Sequence, residues 1–292
     1  MKVLLSVEQE NYMSNIIQAI INIANDPVVQ LRDTYSGRNT INNVGQALEA
    51  YIQDVFANTV NEADSQKRDE CISDVFSYLG NQNNPPDIIL KGGDAIEVKK
   101  IQSKGSAIAL NSSYPKSKLH SDDSKITDAC KNCEEWVTKD IVYAIGVTND
   151  KNLKHLWLVY GNCYAASREI YTRIGKTIKE GVKEIEDIEF SETKELGRVN
   201  RVDPLGITNL RIRGMWHIDN PLKVYKNYYE ANEAKSFSLA CIMRDEKFTS
   251  FDVSDTDQLS STDGISIADI KIKDPDNPAT LLNAKLITLE AS

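Results

Sequence analysis

The sequence predicts an α/β fold, with α+β at the borderline, built on a central mixed β-sheet flanked by helices. Three observations carry that expectation. Residues 40–57 repeat apolar side chains at helical spacing. A group of short apolar runs broken by turn residues follows. Helical stretches then alternate with further apolar runs to about residue 185.

The elements follow in order. Tyr12 to Ala24 places Ile16, Ile17, Ile20, Ile21 and Ile23 in a helix that Pro27 ends. In the next helix Val44, Leu48, Tyr51, Ile52 and Val55 recur at three and four after Ile41, with Thr40 as its N-cap. Asn61 to Glu70 is polar and reads as a loop. Strands are expected at Asp74–Leu79, Pro86–Leu90 and Asp94–Ile101, because Gly80-Asn81, Asn84-Pro85-Pro86 and Gly92-Gly93 interrupt them. Lys125 to Lys139 reads as a helix, Ile141–Val147 and His155–Tyr160 as strands, and Ser167 to Glu184 as a helix. Beyond Ile185 the pattern is less regular. Trp136, Trp157, Trp216, Tyr143 and Tyr160 fit core positions rather than a base-stacking platform.

Composition excludes several classes. With 41% apolar and 26% charged residues in 292, the chain is neither collagen-like, coiled-coil nor wholly disordered. No apolar run nears the roughly 20 residues of a membrane span, and MKVLLSVEQENYM is a poor signal peptide. Five cysteines, an odd number, suggest reduced thiols and a cytoplasmic protein. The Cys130/Cys133 pair lacks the second pair that a zinc ribbon needs, and His120, His155 and His217 sit in no metal-binding spacing. The net charge of −9 argues at first against a polyanion partner. Yet residues 245–292 hold ten acids and four bases, a net −6, leaving only −3 for the first 244 residues. The sign of the whole chain therefore does not exclude DNA.

The chemically informative stretch is Pro86 to Lys100. Side chains alternate faces along a strand, so Glu97 and Lys99 project side by side, with Ile96 and Val98 on the other face. If the flanking strands form a hairpin across Gly92-Gly93, Asp87 joins them. Two carboxylates can hold Mg²⁺, a hard cation that keeps several waters, against a phosphate. The metal activates water and polarises the phosphoryl oxygen, and a neighbouring lysine stabilises the developing charge. The competing reading is a solvated hairpin whose Glu and Lys neutralise each other. Glu49 lies on the arc of Gly45, Ile52 and Phe56 rather than with Gln46, so it wants a partner: the metal, an arginine or solvent.

The Pro86-Asp87 … Glu97-Val98-Lys99 pattern resembles the PD-(D/E)xK nuclease superfamily. Four stretches are similar, more narrowly, to NgoPII-type type II restriction endonucleases: YSGRNTINNVGQALEAYIQDVF, FSYLGNQNNPPDIILKGGDAIEVKKI, ALNSSYPKSKL and ELGRVNRVDPLGITNLRIRGMW, spanning Tyr35 to Trp216. The resemblance implies a restriction-endonuclease-like core and Mg²⁺-dependent cleavage of both DNA strands at a short palindrome, GGCC. It implies metal ligands at Asp87 and Glu97, a catalytic lysine at Lys99, and an added helix glutamate at Glu49. Residues 1–185 would form the catalytic core, and 186–292 a C-terminal elaboration with a recognition segment at 194–216 and an acidic tail.

A GGCC reader needs guanine contacts, for which arginine is the commonest choice. From Lys194 to Arg213 the net charge is +3, and Arg198, Asn200, Arg201, Asp203, Arg211 and Arg213 are candidates there. A basic cluster is more often a phosphate clamp or a solvated face than a base reader, and Asp203 could accept from cytosine N4 or merely hold an arginine. Asn111, Ser112, Ser113, Tyr114 and Lys116 follow the third strand directly and suit phosphate contact or groove entry. A palindromic site implies a two-fold homodimer on double-stranded DNA, without nucleotide cofactor or membrane. Two rivals remain: a structure-selective repair or recombination nuclease on the same core, and a non-catalytic DNA-binding module.

Overall fold

The computed structural model describes residues 14–31, 35, 44–81, 84–111, 113–149, 152–186 and 189–292. Tyr12, Thr40, Ile41 and Ser112 lie outside them.

Helix α1 (Ile16–Asn25) begins where Asn15 Oδ1 accepts the amides of Ile17 and Gln18, at 2.9 and 3.1 Å, and it stops two residues before Pro27. Its isoleucines are buried against helix α2 (Val44–Ala57), which in turn packs on the sheet strand Ala95–Ile101. The next helix, α3 (Ser65–Val75), corrects the expectation of a loop from Asn61 to Glu70. It is amphipathic only weakly, burying Ile72 alone, so apolar periodicity could not find it. What makes it a helix is a cap and an anchor. Asp64 Oδ1 accepts the Gln66 and Lys67 amides, and Arg68 pairs with the buried Asp54 at 2.7 Å. Asp74 and Val75 accordingly finish this helix rather than open a strand.

The sheet strands are β1 (Phe76–Asn81), β2 (Asn84–Leu90) and β3 (Ala95–Ile101), followed by a short β4 (Ile108–Asn111) and β5 (Lys118–His120). The helix expected at Lys125–Lys139 is reduced to one turn, α4 (Asp128–Lys131), capped by Thr127. Beyond it the chain folds back. The Cys130 carbonyl accepts from Trp136 Nε1 at 3.3 Å and from Cys133 Sγ at 3.1 Å, and Lys139 Nζ donates to Gly93 O at 2.8 Å. These bonds replace the helical ladder, and β6 (Thr138–Asn149) already starts before the predicted helix would end. It is followed by β7 (Asn152–Tyr160), a one-turn α5 (Gly161–Tyr164) and helix α6 (Arg168–Lys183).

After residue 185 come β8 (Glu189–Phe190), β9 (Gly197–Asn200), β10 (Leu210–Ile212), β11 (Met215–Ile218), α7 (Pro221–Val224), β12 (Phe237–Arg244), α8 (Asp245–Phe248), α9 (Val253–Ser261), β13 (Ile265–Lys273) and β14 (Leu281–Ala291). The main sheet runs β1-β2-β3-β6-β7-β12-β14-β13, with β5 on β6. It is mixed: β3 and β6 are parallel, as are β7 and β12, and the other neighbours are antiparallel. Thus three late strands continue the sheet that begins with the hairpin. The first of them, β12, is buried on both faces, so it shows no period-two alternation. At the far edge β13 exposes Asp269, Lys271 and Lys273, charges that discourage pairing with another chain.

The core lies between this sheet and the α1–α2 pair. Gly146 on β6 makes the close approach possible: a Cβ there would sit 2.6 Å from Leu48 Cδ2 of α2. Helix α9 closes the same layer against α1. Asp255 accepts from Asn15 Nδ2 at 2.6 Å and from Gln18 Nε2 at 2.8 Å. Asn15 thus caps one helix and ties it to another. Asn15→Ala is expected to cost about 1–2 kcal/mol, seen as a lower urea midpoint at unchanged slope. Among the described residues no helix is long and apolar enough to cross a membrane.

Candidate active site

The hairpin places the first three side chains. Strands β2 and β3 pair antiparallel, Ile88 with Ile96 and Ile89 with Ala95, across a turn where Gly92 has φ +63°. Continuing that register by one residue sets Asp87 opposite Glu97. Lys99 follows on the same face of β3. Lys99 Nζ lies 2.5 Å from Glu97 Oε1 and 3.8 Å from Asp87 Oδ2, and also donates to the Val98 carbonyl at 3.1 Å. Asp87 Oδ2 accepts the Val98 amide at 2.6 Å. Glu49 reaches Asp87 from α2 and shares a side-chain hydrogen bond with it. The sequence-predicted quartet is therefore one cluster.

Its electrostatics are under-compensated. Burial first, then the charge of Glu97, pushes the Asp87 carboxyl up to about 8, against the opposing pull of Lys99. Glu49 is also raised, chiefly by burial, though its bond to Asp87 and the Lys99 charge oppose this. Burial acts to lower Lys99, but Glu97, Asp87 and Glu49 outweigh it and the net shift is upward. Glu97 Oε2 is buried without a hydrogen-bond partner. Three carboxylates share one ammonium, and one oxygen is left bare.

That imbalance fits a divalent cation. Among the described residues no three His, Cys, Asp or Glu side chains are gathered so as to enclose an ion by themselves. One Asp87 oxygen holds the Val98 amide, and Lys99 lies against Glu97 where a cation would compete. The chemistry suits an ion that takes one or two carboxylates and keeps its water, as Mg²⁺ does.

Asp87, Glu97 and Lys99 line a cavity of about 120 Å³, and Asn111, Ser113, Tyr114 and Lys116 line it as well. Both groups were legible in the sequence, but their meeting was not. Lys116 is buried rather than presented to solvent. Its ammonium pairs with Asp123 and sits 4.3 Å from the Tyr114 ring centroid. Tyr143, read from the sequence as core, is a further wall of this cavity. It pairs with Glu97 across the parallel β3–β6 ladder, and its hydroxyl accepts the Lys116 amide at 2.6 Å. Asp123 carried no sequence signal.

The second candidate group sits on the small β8-β9-β10 sheet. Arg211 reaches Glu195 with two bonds, at 2.7 and 2.9 Å, and Arg213 reaches the same carboxylate at 2.6 Å. Arg198 Nε donates to Asn200 Oδ1 at 3.2 Å, and Asn200 in turn bonds Ser191. Asp203 accepts the Leu205 and Thr208 amides and so shapes its own turn. A hydrogen bond from the Thr208 side chain first, and then these amides, hold its carboxyl below the usual range. Arg201 is well exposed, with Glu189 3.6 Å away. A ribbon joins the two groups: β11 pairs antiparallel with β4, Met215 against Asn111, so the arginine hairpin is strapped to the strand entering the cavity.

A mixed α/β sheet carrying this carboxylate–lysine cluster, with a basic hairpin strapped beside it, defines a nuclease with a restriction-endonuclease-like core. Residues 14–273 match the NgoPII restriction endonuclease family, and the chain belongs to it. Over 275 residues it is 54% identical to the type II restriction enzyme NgoPII of Neisseria gonorrhoeae, covering 94% of this chain and 99% of that one. No solved structure matches it.

Proposed function

We propose that the protein is a type II restriction endonuclease that cuts both strands of DNA at the palindrome GGCC, using Mg²⁺ and acting as a homodimer. The observation that carries the chemistry is the convergence of Asp87, Glu97 and Lys99 on one cavity wall with Glu97 Oε2 bare. Asp87 and Glu97 would hold the ion. When bound, Mg²⁺ supplies an activated water and polarises the scissile phosphate. Lys99, kept protonated by its three carboxylates, stabilises charge on the phosphate and orients the attacking water. Glu49 orients Asp87 through their shared hydrogen bond.

The GGCC reading rests on the family resemblance of the stretch from Glu195 to Trp216. Arginines there suit guanine O6 and N7. A palindrome is matched by a two-fold dimer, because protein symmetry mirrors site symmetry. Digesting a plasmid of known sequence in magnesium tests the reading. Discrete fragments ending within GGCC are expected, and a smear, or nicking alone, would refute it.

A further inference from the structure

Beside the catalytic cavity lies a second groove of about 290 Å³, whose Lys125, Lys176 and Lys179 have so far no role. Its cationic lining is Lys125, Lys176, Lys179, Lys194 and Arg213, and Trp216 contributes to its floor. Tyr114 lines both spaces, so the groove begins where the catalytic cavity ends. From Tyr114 the aromatic wall continues: Tyr171 stacks on it at 5.4 Å, and Trp216 meets Tyr171 edge-on at 5.5 Å.

The charge in this groove is mostly uncompensated. Its one carboxylate, Glu195, already serves Arg211 and Arg213. Lys176 has a loose partner in Glu180 at 3.7 Å, on its own helix. Among the described residues Lys179 and Lys194 have no carboxylate within ion-pair distance. Lys125 is held below the usual lysine range, first by burial and then by the charge of Lys179. Gathering like charges raises the folding cost, so a partner that neutralises them gains what they lose.

We infer that this groove holds the sugar–phosphate backbone of the DNA where it leaves the catalytic cavity, with Lys176 and Lys179 of α6 as phosphate clamps. The inference rests on the nuclease reading above. Cations on flexible stems suit phosphates spaced along a strand, and an aromatic floor suits deoxyribose. Such contacts fix position and orientation while carrying no sequence information.

The test is a salt titration of DNA binding in calcium, with a GGCC duplex and a random duplex. The double variant Lys176→Ala, Lys179→Ala is compared with Lys271→Ala, Lys273→Ala, which removes the same charge from the far sheet edge. Alanine suits both exposed helix positions. Each lost phosphate contact removes about 0.9 from the slope of log affinity against log salt. Between 50 and 200 mM salt the parent should therefore lose about 12-fold more affinity than the groove variant, equally on both duplexes. The far-edge variant should match the parent. A groove variant with the parental slope, or an equal fall in both variants, overturns the inference while leaving the nuclease reading intact. A parent that binds neither duplex overturns both.

Discussion

Asp87→Asn is expected to abolish cleavage and, in the same protein, to raise the melting temperature measured without metal. The two effects have one cause. Asparagine keeps an oxygen for the Val98 amide but cannot carry the charge that holds a cation. Removing that charge also removes its repulsion with Glu97 and its burial cost. Each pH unit over which folding opposes ionisation costs about 1.4 kcal/mol, so a neutral group of the same shape is expected to stabilise the fold by a few kcal/mol once the pH is high enough to ionise a free carboxyl. At about 2–4 °C per kcal/mol, a gain of several degrees follows.

The pH dependence fixes the sign. A carboxyl raised from 3.8 to about 8 on folding costs nothing below pH 4, where both states are protonated. The cost grows as pH rises between those values and is complete above pH 8. The stabilisation by Asn should therefore vanish near pH 4 and be largest near pH 9, which calorimetry at the two pH values measures. DNA binding in calcium should persist. A variant less stable than the parent at pH 9 would mean that the three carboxylates are not in conflict.

The same cluster shows what a sequence can disclose. Glu97 and Lys99 are neighbours because strand side chains alternate, and Asp87 joins them through a two-glycine turn, so both relations are local. Helix α2 was legible because its buried face repeats over four turns. Helix α3 was not, because its stability comes from the Asp64 cap and from Arg68 reaching Asp54, fourteen residues back. Nor was the end of the Lys125–Lys139 stretch, where the buried Cys130 carbonyl takes donors from side chains. Lys116 reads in the sequence as a phosphate or groove contact, but its ammonium is buried against Asp123. The strap between Met215 and Asn111 crosses more than a hundred residues. No periodicity records such a contact, yet it helps to unite the two candidate groups.

Arg68→Ala is expected to produce the largest loss of stability. Asp54 is wholly buried on α2 and accepts three bonds: from Tyr35 Oη at 2.8 Å, Thr59 Oγ1 at 2.7 Å and Arg68 Nε at 2.7 Å. Arg68 brings an opposite charge to it at 2.7 Å. Removing one partner of a buried pair weakens the compensation of the other's charge and costs up to about 3–5 kcal/mol. For a chain of this size that is a fall in melting temperature of roughly 6–20 °C. The loss should be relieved in part by Asp54→Asn in the same chain, since the neutral amide still accepts from Tyr35 and Thr59. A double-mutant cycle reads this directly: the pair should cost less than the sum of the singles. Because Asp54 lies five residues beyond Glu49 on α2, the network also fixes the pose of the helix that delivers Glu49 to Asp87. At temperatures where Arg68→Ala is still folded, its cleavage rate should therefore fall, and a parental rate would show that Glu49 does not depend on this network. Additive losses in the cycle would show that Arg68 contributes packing rather than charge.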